Sequence, residues 1–135
     1  MIEKVNHIGI AVHSIEAKIP FYRDVLGLQF LGLEEVPDQK VKVAMFKIGE
    51  IKIELLEPTA ADSSIATFLK KKGEGIHHVA LQTDDIESQL NKLKNKNIPL
   101  IDEQPKEGAH QTKIAFLHPR ATGKVLIELC QVVEK

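Results

Sequence analysis

The chain has 135 residues, 43% hydrophobic and 27% charged, a balance that excludes the disordered and membrane-embedded classes and fits an ordinary globular protein. Lys and Arg number 18 against 19 Asp and Glu, a net charge of -1 with no one-sided basic block, which argues against a nucleic-acid partner. No stretch approaches the ~18 consecutive apolar residues of a membrane span, the opening run MIEKVNHIGIAV is too short and polar for a signal peptide, and the lone Cys130 can form no internal disulfide. A cytoplasmic protein is expected.

In chain order, the hydrophobic pattern predicts strands near 4–12, 28–36, 41–48 and 51–57, with a helix over 15–26 opened by Ser14 as N-cap. Asp62-Ser63-Ser64 can cap a connecting helix running to about Lys72, with Ile65, Ala66, Phe68 and Leu69 as its apolar stripe. Further strands are predicted near 76–83, 98–103, 111–117 and 125–133, and a helix over 85–96 with Asp84 as its cap. Both halves therefore read as βαβββ.

The halves also match residue by residue. HIGIAVHSIEAKIPFYRDVLGL begins at His7 and HVALQTDDIESQLNKLKNKNIPL at His78, and the turn isoleucines Ile15 and Ile86 each follow their histidine by eight residues. Gly27 and Asn97, 20 and 19 residues after those histidines, mark where each helix should stop. Each half closes on one tripeptide, Ile53-Glu54-Leu55 and Ile127-Glu128-Leu129, 47 and 50 residues after its histidine. A self-similar chain of this kind predicts an α+β fold in which two tandem βαβββ modules form a curved mixed β-sheet around a metal-binding cleft. The expected layout is one domain over 1–135, with module 1 at about 1–60, the connecting helix at 62–73 and module 2 at about 75–135.

Strand side chains alternate between faces, so parity assigns companions to each candidate ligand. His7 shares a face with Gly9 and Ala11, opposite the oilier Ile8, Ile10 and Val12; His78 shares one with Ala80 and Gln82. Glu54 has Lys52 and Leu56 as facemates, Glu128 has Leu126 and Cys130. Small residues beside both histidines leave open volume there. A carboxylate inside an apolar strand is unfavourable unless a cation or hydrogen bonds compensate it, and both modules carry one. His7, Glu54, His78 and Glu128 are a mixed nitrogen and oxygen donor set suited to Zn2+, Co2+, Ni2+ or Mn2+. Parity turns His77 to the face opposite His78, and His13 reads as a surface turn residue. The Lys106–Gln111 loop reads as a surface turn that could also serve as a lid, and Lys70-Lys71-Lys72 and Lys113 as solvated charges.

VNHIGIAV at 5–12, IELLEP at 53–58, DSSIATFLKKKGEGIHHVAL at 62–81, GAH at 108–110, FLHP at 116–119 and KVLIELCQ at 124–131 together resemble the vicinal oxygen chelate superfamily and, within it, the methylmalonyl-CoA epimerases. The resemblance implies interconversion of (R)- and (S)-methylmalonyl-CoA by removal and return of the α-proton, with a divalent metal stabilising the enolate. It implies Glu128 as ligand and base. The glutamate that some members carry on the third strand has no match in Val41-Lys42-Val43-Ala44-Met45, so Glu54 is the expected second base, with Glu34 and Glu35 behind it. A small acyl-CoA substrate and a homodimer are also implied. The alternatives are a glyoxalase I-like lactoylglutathione lyase, an extradiol dioxygenase and a non-enzymatic small-molecule binding protein, the last two disfavoured by the complete ligand quartet.

Overall fold

The computed structural model describes residues 1–133. They form two compact units, one of His7–His77 and one of Met1–Asn6 with the residues from His78 onward. The first strand, β1 (Ile2–Ala11), enters the His7–His77 unit at His7 and is followed by α1 (Ile15–Ile19), β2 (Gln29–Val36), β3 (Val41–Ile48), β4 (Ile51–Pro58) and α2 (Ser64–Lys72). Its strands lie in the order β2-β3-β4-β1, with β1 parallel to β4 and the other pairs antiparallel. The other unit takes up β5 (Gly75–Thr83) at His78, then α3 (Ile86–Asn95), β6 (Lys106–Gly108), β7 (Thr112–Phe116) and β8 (Ile127–Val132). Its order is β5-β8-β7-β6, with β5 parallel to β8. The α+β class and mixed pairing follow the expectation, and each half is βαβββ. Among the described residues no helix is long and apolar enough to cross a membrane.

Ser14 caps α1 by accepting the Ala17 N–H at 3.1 Å. The helical run expected over 15–26 changes winding at Pro20, which has no N–H to give and whose ring crowds the preceding turn; Pro20–Val25 is wound as a wider π-helical turn in which the Leu26 N–H reaches the Phe21 carbonyl at 2.9 Å. Gly27 and Asn97, the two predicted stops, both take left-handed backbone, φ 75° and 59°. The cap of α3 is Asp85, one residue beyond the expected Asp84, and it accepts the Ser88 N–H at 3.1 Å; Asp84 pairs with the N-terminal ammonium instead. The strand expected over 98–103 does not form. Only Leu100 makes an isolated bridge, to Leu117, and the pairing strand is the short β6, because Pro99 and Pro105 interrupt the intervening backbone's donors.

Each sheet has one face on its helix. In the His7–His77 unit Val12, Ile15, Ala44, Phe46 and Leu55 form the core, with Ile10, Tyr22, Phe30 and Ile53 packed on it. In the other unit Ile86, Leu90, Ala115, Leu117 and Leu129 do the same with Leu81 and Ile127. Burying one face of each sheet this way, at about 25 cal/mol per Å² of apolar area, fixes which side chains are left for the opposite face.

Candidate metal centre

The opposite face carries the chemistry. In the His7–His77 unit the parallel register sets Gly9 beside Glu54, two residues along from His7. In the other unit it sets Ala80 beside Glu128, two residues along from His78. Gly9 and Ala80 are small enough to leave the carboxyl and imidazole room to meet. His7 Nδ1 lies 3.2 Å from Glu54 Oε2, and His78 Nε2 lies 3.3 Å from Glu128 Oε1. All four side chains are buried, His7 at 5%, Glu54 at 6%, His78 at 5% and Glu128 at 4% exposure. One histidine–glutamate pair per repeat is thus built at one and the same register.

Burial sets the protonation within the first pair. Desolvation, with the nearby Lys52 ammonium adding to it, pushes His7 down to about 3, so the imidazole is neutral and offers a lone pair. Desolvation pushes the Glu54 carboxyl up to about 8; Lys52 pulls the other way and Glu34 adds to the rise. Neutral imidazole next to a carboxyl that would ionise if a cation were present is the donor chemistry of a metal ligand pair, and the residues fit a divalent ion.

Around Glu54 the sheet forms a regular grid. His7, Lys52, Lys47 and Gln29 stand in one row across β1, β4, β3 and β2; Gly9, Glu54, Met45 and Gly32 in the next; Ala11, Leu56, Val43 and Glu34 in the third. Val41, Val43 and Met45 are buried on this face, so no carboxylate approaches from β3. Glu34 does face this way. Phe30 pairs with Phe46 on the helix side, and strict alternation would put Glu34 there as well; the bulge between Phe30 and Gly32, with Gly32 at φ 120°, reverses the parity and turns Glu34 to the Glu54 side. Glu35 faces away and is exposed.

Around Glu128 the face is mostly apolar, with the Lys106 ammonium over the Phe116 ring at 5.3 Å. Phe116 sits in register with Glu128 and meets the His78 ring edge to face at 5.6 Å, and Ala80, Ile114 and Cys130 pack together beside it. His77 turns away from His78 as expected, packs edge to face on Phe68 of α2 at 5.1 Å and is pushed down to about 4 by burial. His13 is exposed. The Lys106–Gln111 segment, read as a surface turn, forms β6 and the turn into β7, fastened by the Thr112 hydroxyl donating to the Ala109 carbonyl at 2.8 Å, with His110 and Gln111 in left-handed backbone.

Residues 6–116 match the Glyoxalase/Bleomycin resistance protein/Dioxygenase superfamily. The chain belongs to that superfamily. Among its curated relatives, methylmalonyl-CoA epimerase of Mus musculus is 41% identical over 95% of this chain and 72% of its own length. Ethylmalonyl-CoA/methylmalonyl-CoA epimerase of Cereibacter sphaeroides is 38% identical over 98% of this chain and 100% of its own. A variant of Streptomyces coelicolor methylmalonyl-CoA epimerase, solved with 2-nitronate-propionyl-CoA, superposes with a TM-score of 0.94 at 34% identity, covering 98% of this chain and 96% of that one.

Proposed function

We propose that this superfamily member is a methylmalonyl-CoA epimerase in which His7, Glu54, His78 and Glu128 hold one divalent metal ion. The observation that carries the reading is the repeated histidine–glutamate pair, buried at matching register in each half, in a chain that epimerases match over nearly its whole length. Co2+, Zn2+, Ni2+ and Mn2+ all suit the donor set.

The α-proton of a malonyl-type thioester is flanked by two carbonyl carbons, and a bound cation supplies Lewis-acid stabilisation for the charge left when it departs. The chain's own work is proton transfer from both faces. Glu128 serves one face, backed by the apolar wall of Phe116, Ile114 and Cys130 that keeps water away from it. Glu54, the matching residue of the other repeat, serves the opposite face. A cytoplasmic location and assembly into a homodimer belong to the same proposal; exposed Phe21, Val25 and Leu26 offer a second copy an apolar patch.

The test is proton NMR of metal-loaded protein in D2O with methylmalonyl-CoA. Loss of the α-proton that stops on EDTA treatment and returns with added metal supports the epimerase. Absence of exchange with each of the four metals would shift the reading to a glutathione hemithioacetal substrate.

A further inference from the structure

Phe116 is fixed from several sides. Its N–H donates to Asp102 Oδ2 at 2.9 Å, and its carbonyl accepts the Ile101 and Asp102 N–H groups at 3.0 and 3.1 Å. The other oxygen of Asp102 pairs with Lys106 Nζ at 3.3 Å, and that ammonium rests over the Phe116 ring, 5.3 Å from its centroid. The ring also meets His78 edge to face at 5.6 Å. Backbone and ring are therefore both pinned. Yet Phe116 is not a core residue. Ala80, Ile114 and Cys130 beside it are buried, at 0%, 3% and 0% exposure, whereas Phe116 is half-buried and keeps ring surface open on the face that carries Glu128, its register partner on β8.

A rigid apolar surface next to a proton-transferring carboxyl selects by shape. For Glu128 to take the α-proton, the α-carbon must come within about 3 to 3.5 Å of a carboxyl oxygen, and the alkyl substituent is one bond farther on. The other two heavy substituents of that carbon, thioester and carboxylate, are polar, so the alkyl group is the one that gains by leaving water. Paired neighbours on adjacent strands stand about 5 Å apart, which brings the Phe116 ring within van der Waals reach of that group. A wall pinned at backbone and ring does not draw back for a longer chain. We infer that Phe116 bounds the pocket for the alkyl group on the α-carbon and sets how large that group can be. The inference rests on the epimerase reading, with Glu128 as the base, and deepens it by naming the part of the substrate that the site measures.

Deuterium uptake at the α-carbon from D2O, read by mass spectrometry on Co2+-loaded full chain, tests it with methylmalonyl-CoA and butylmalonyl-CoA on the unaltered protein, Phe116→Ala and Phe116→Tyr. The unaltered protein should favour the methyl compound in kcat/KM by about 10-fold or more, the order of discrimination that an apolar pocket gives against misfitting methylenes. Phe116→Ala should cut that preference by about 10-fold; both rates are read on one preparation, so any loss of folded protein cancels in the ratio. Phe116→Tyr keeps the ring and should keep the preference within about twofold. Calorimetric dissociation constants for the two acyl-CoAs should shift in the same sense. Equal losses on both substrates in Phe116→Ala would make the ring a support for His78 and overturn the assignment, as would an unaltered protein indifferent to the size of the alkyl group. Either of those results, in a protein that does exchange methylmalonyl-CoA, sinks the inference and leaves the epimerase standing. Unaltered protein that exchanges neither acyl-CoA sinks the epimerase reading and the inference with it.

Discussion

Glu54→Gln keeps the shape of the side chain beside His7 while removing its charge and its ability to carry a proton. If Glu54 handles the proton on one face of the substrate, the variant should still hold metal, with affinity lowered by about 10-fold, and should slow solvent-deuterium uptake from one stereoisomer far more than from the other. Stereoisomers followed separately by NMR read this directly. Small and equal losses would leave Glu54 as a ligand alone, and Glu34, turned to the same face by the Gly32 bulge, is then the carboxylate to replace next. Lys52 shows a different limit of sequence reading. Parity already made it a facemate of Glu54, but the register that sets it in the row of His7 is decided by β1 pairing with β4 and is written in neither strand alone.

At the scale of elements, one hydrogen bond ties each of α1 and α3 to the strand that carries its repeat's glutamate. The Ile15 N–H donates to Glu57 Oε1 at 2.7 Å, and the Ile86 N–H donates to Gln131 Oε1 at 2.9 Å. Glu57 and Gln131 each stand three residues past the glutamate of their repeat, so the same device recurs with a charged and a neutral acceptor. The first amides of a helix have no partner inside it. Glu57→Ala and Gln131→Ala should each destabilise the protein by about 1 kcal/mol, and Glu57→Gln by less, read as a shift of the urea midpoint with an unchanged slope. Elements marked by strong local chemistry were legible in the sequence: Ser14 as a cap, Gly27 and Asn97 as stops, the alternation that separates His7 from Ile8. What stayed hidden depends on partners far along the chain. The winding change at Pro20, the bulge that redirects Glu34 and the migration of a strand from 98–103 to Lys106–Gly108 are each decided by which backbone groups find a neighbour, and alternation within one segment carries no record of that.

For the whole molecule, protonation links folding to metal. In metal-free protein Glu54 holds its proton up to about 8, whereas the unfolded chain sheds it near 4.5, so stability falls as pH rises across that window. His7 runs the other way: pushed down to about 3 from 6.5, it stays neutral while the unfolded chain takes a proton, and stability falls as pH drops below 6.5. Between about 4.5 and 6.5 the two slopes oppose one another, and above 6.5 only the Glu54 slope remains of this pair. A divalent ion removes that remaining slope, because binding requires the Glu54 carboxylate and displaces its proton below about 8, leaving folded and unfolded chain equally ionised at this group. Metal affinity should therefore climb about tenfold per pH unit between 6.5 and 8 from this group and flatten above it. The gain in melting temperature on adding metal should widen over the same interval. Calorimetric titrations at pH 7 in two buffers of different ionisation enthalpy count the protons directly: release of about one per metal from Glu54 is expected, and a pH-independent affinity with no release would mean that Glu54 is already ionised in the metal-free protein and that burial has left its proton no tighter than in the unfolded chain.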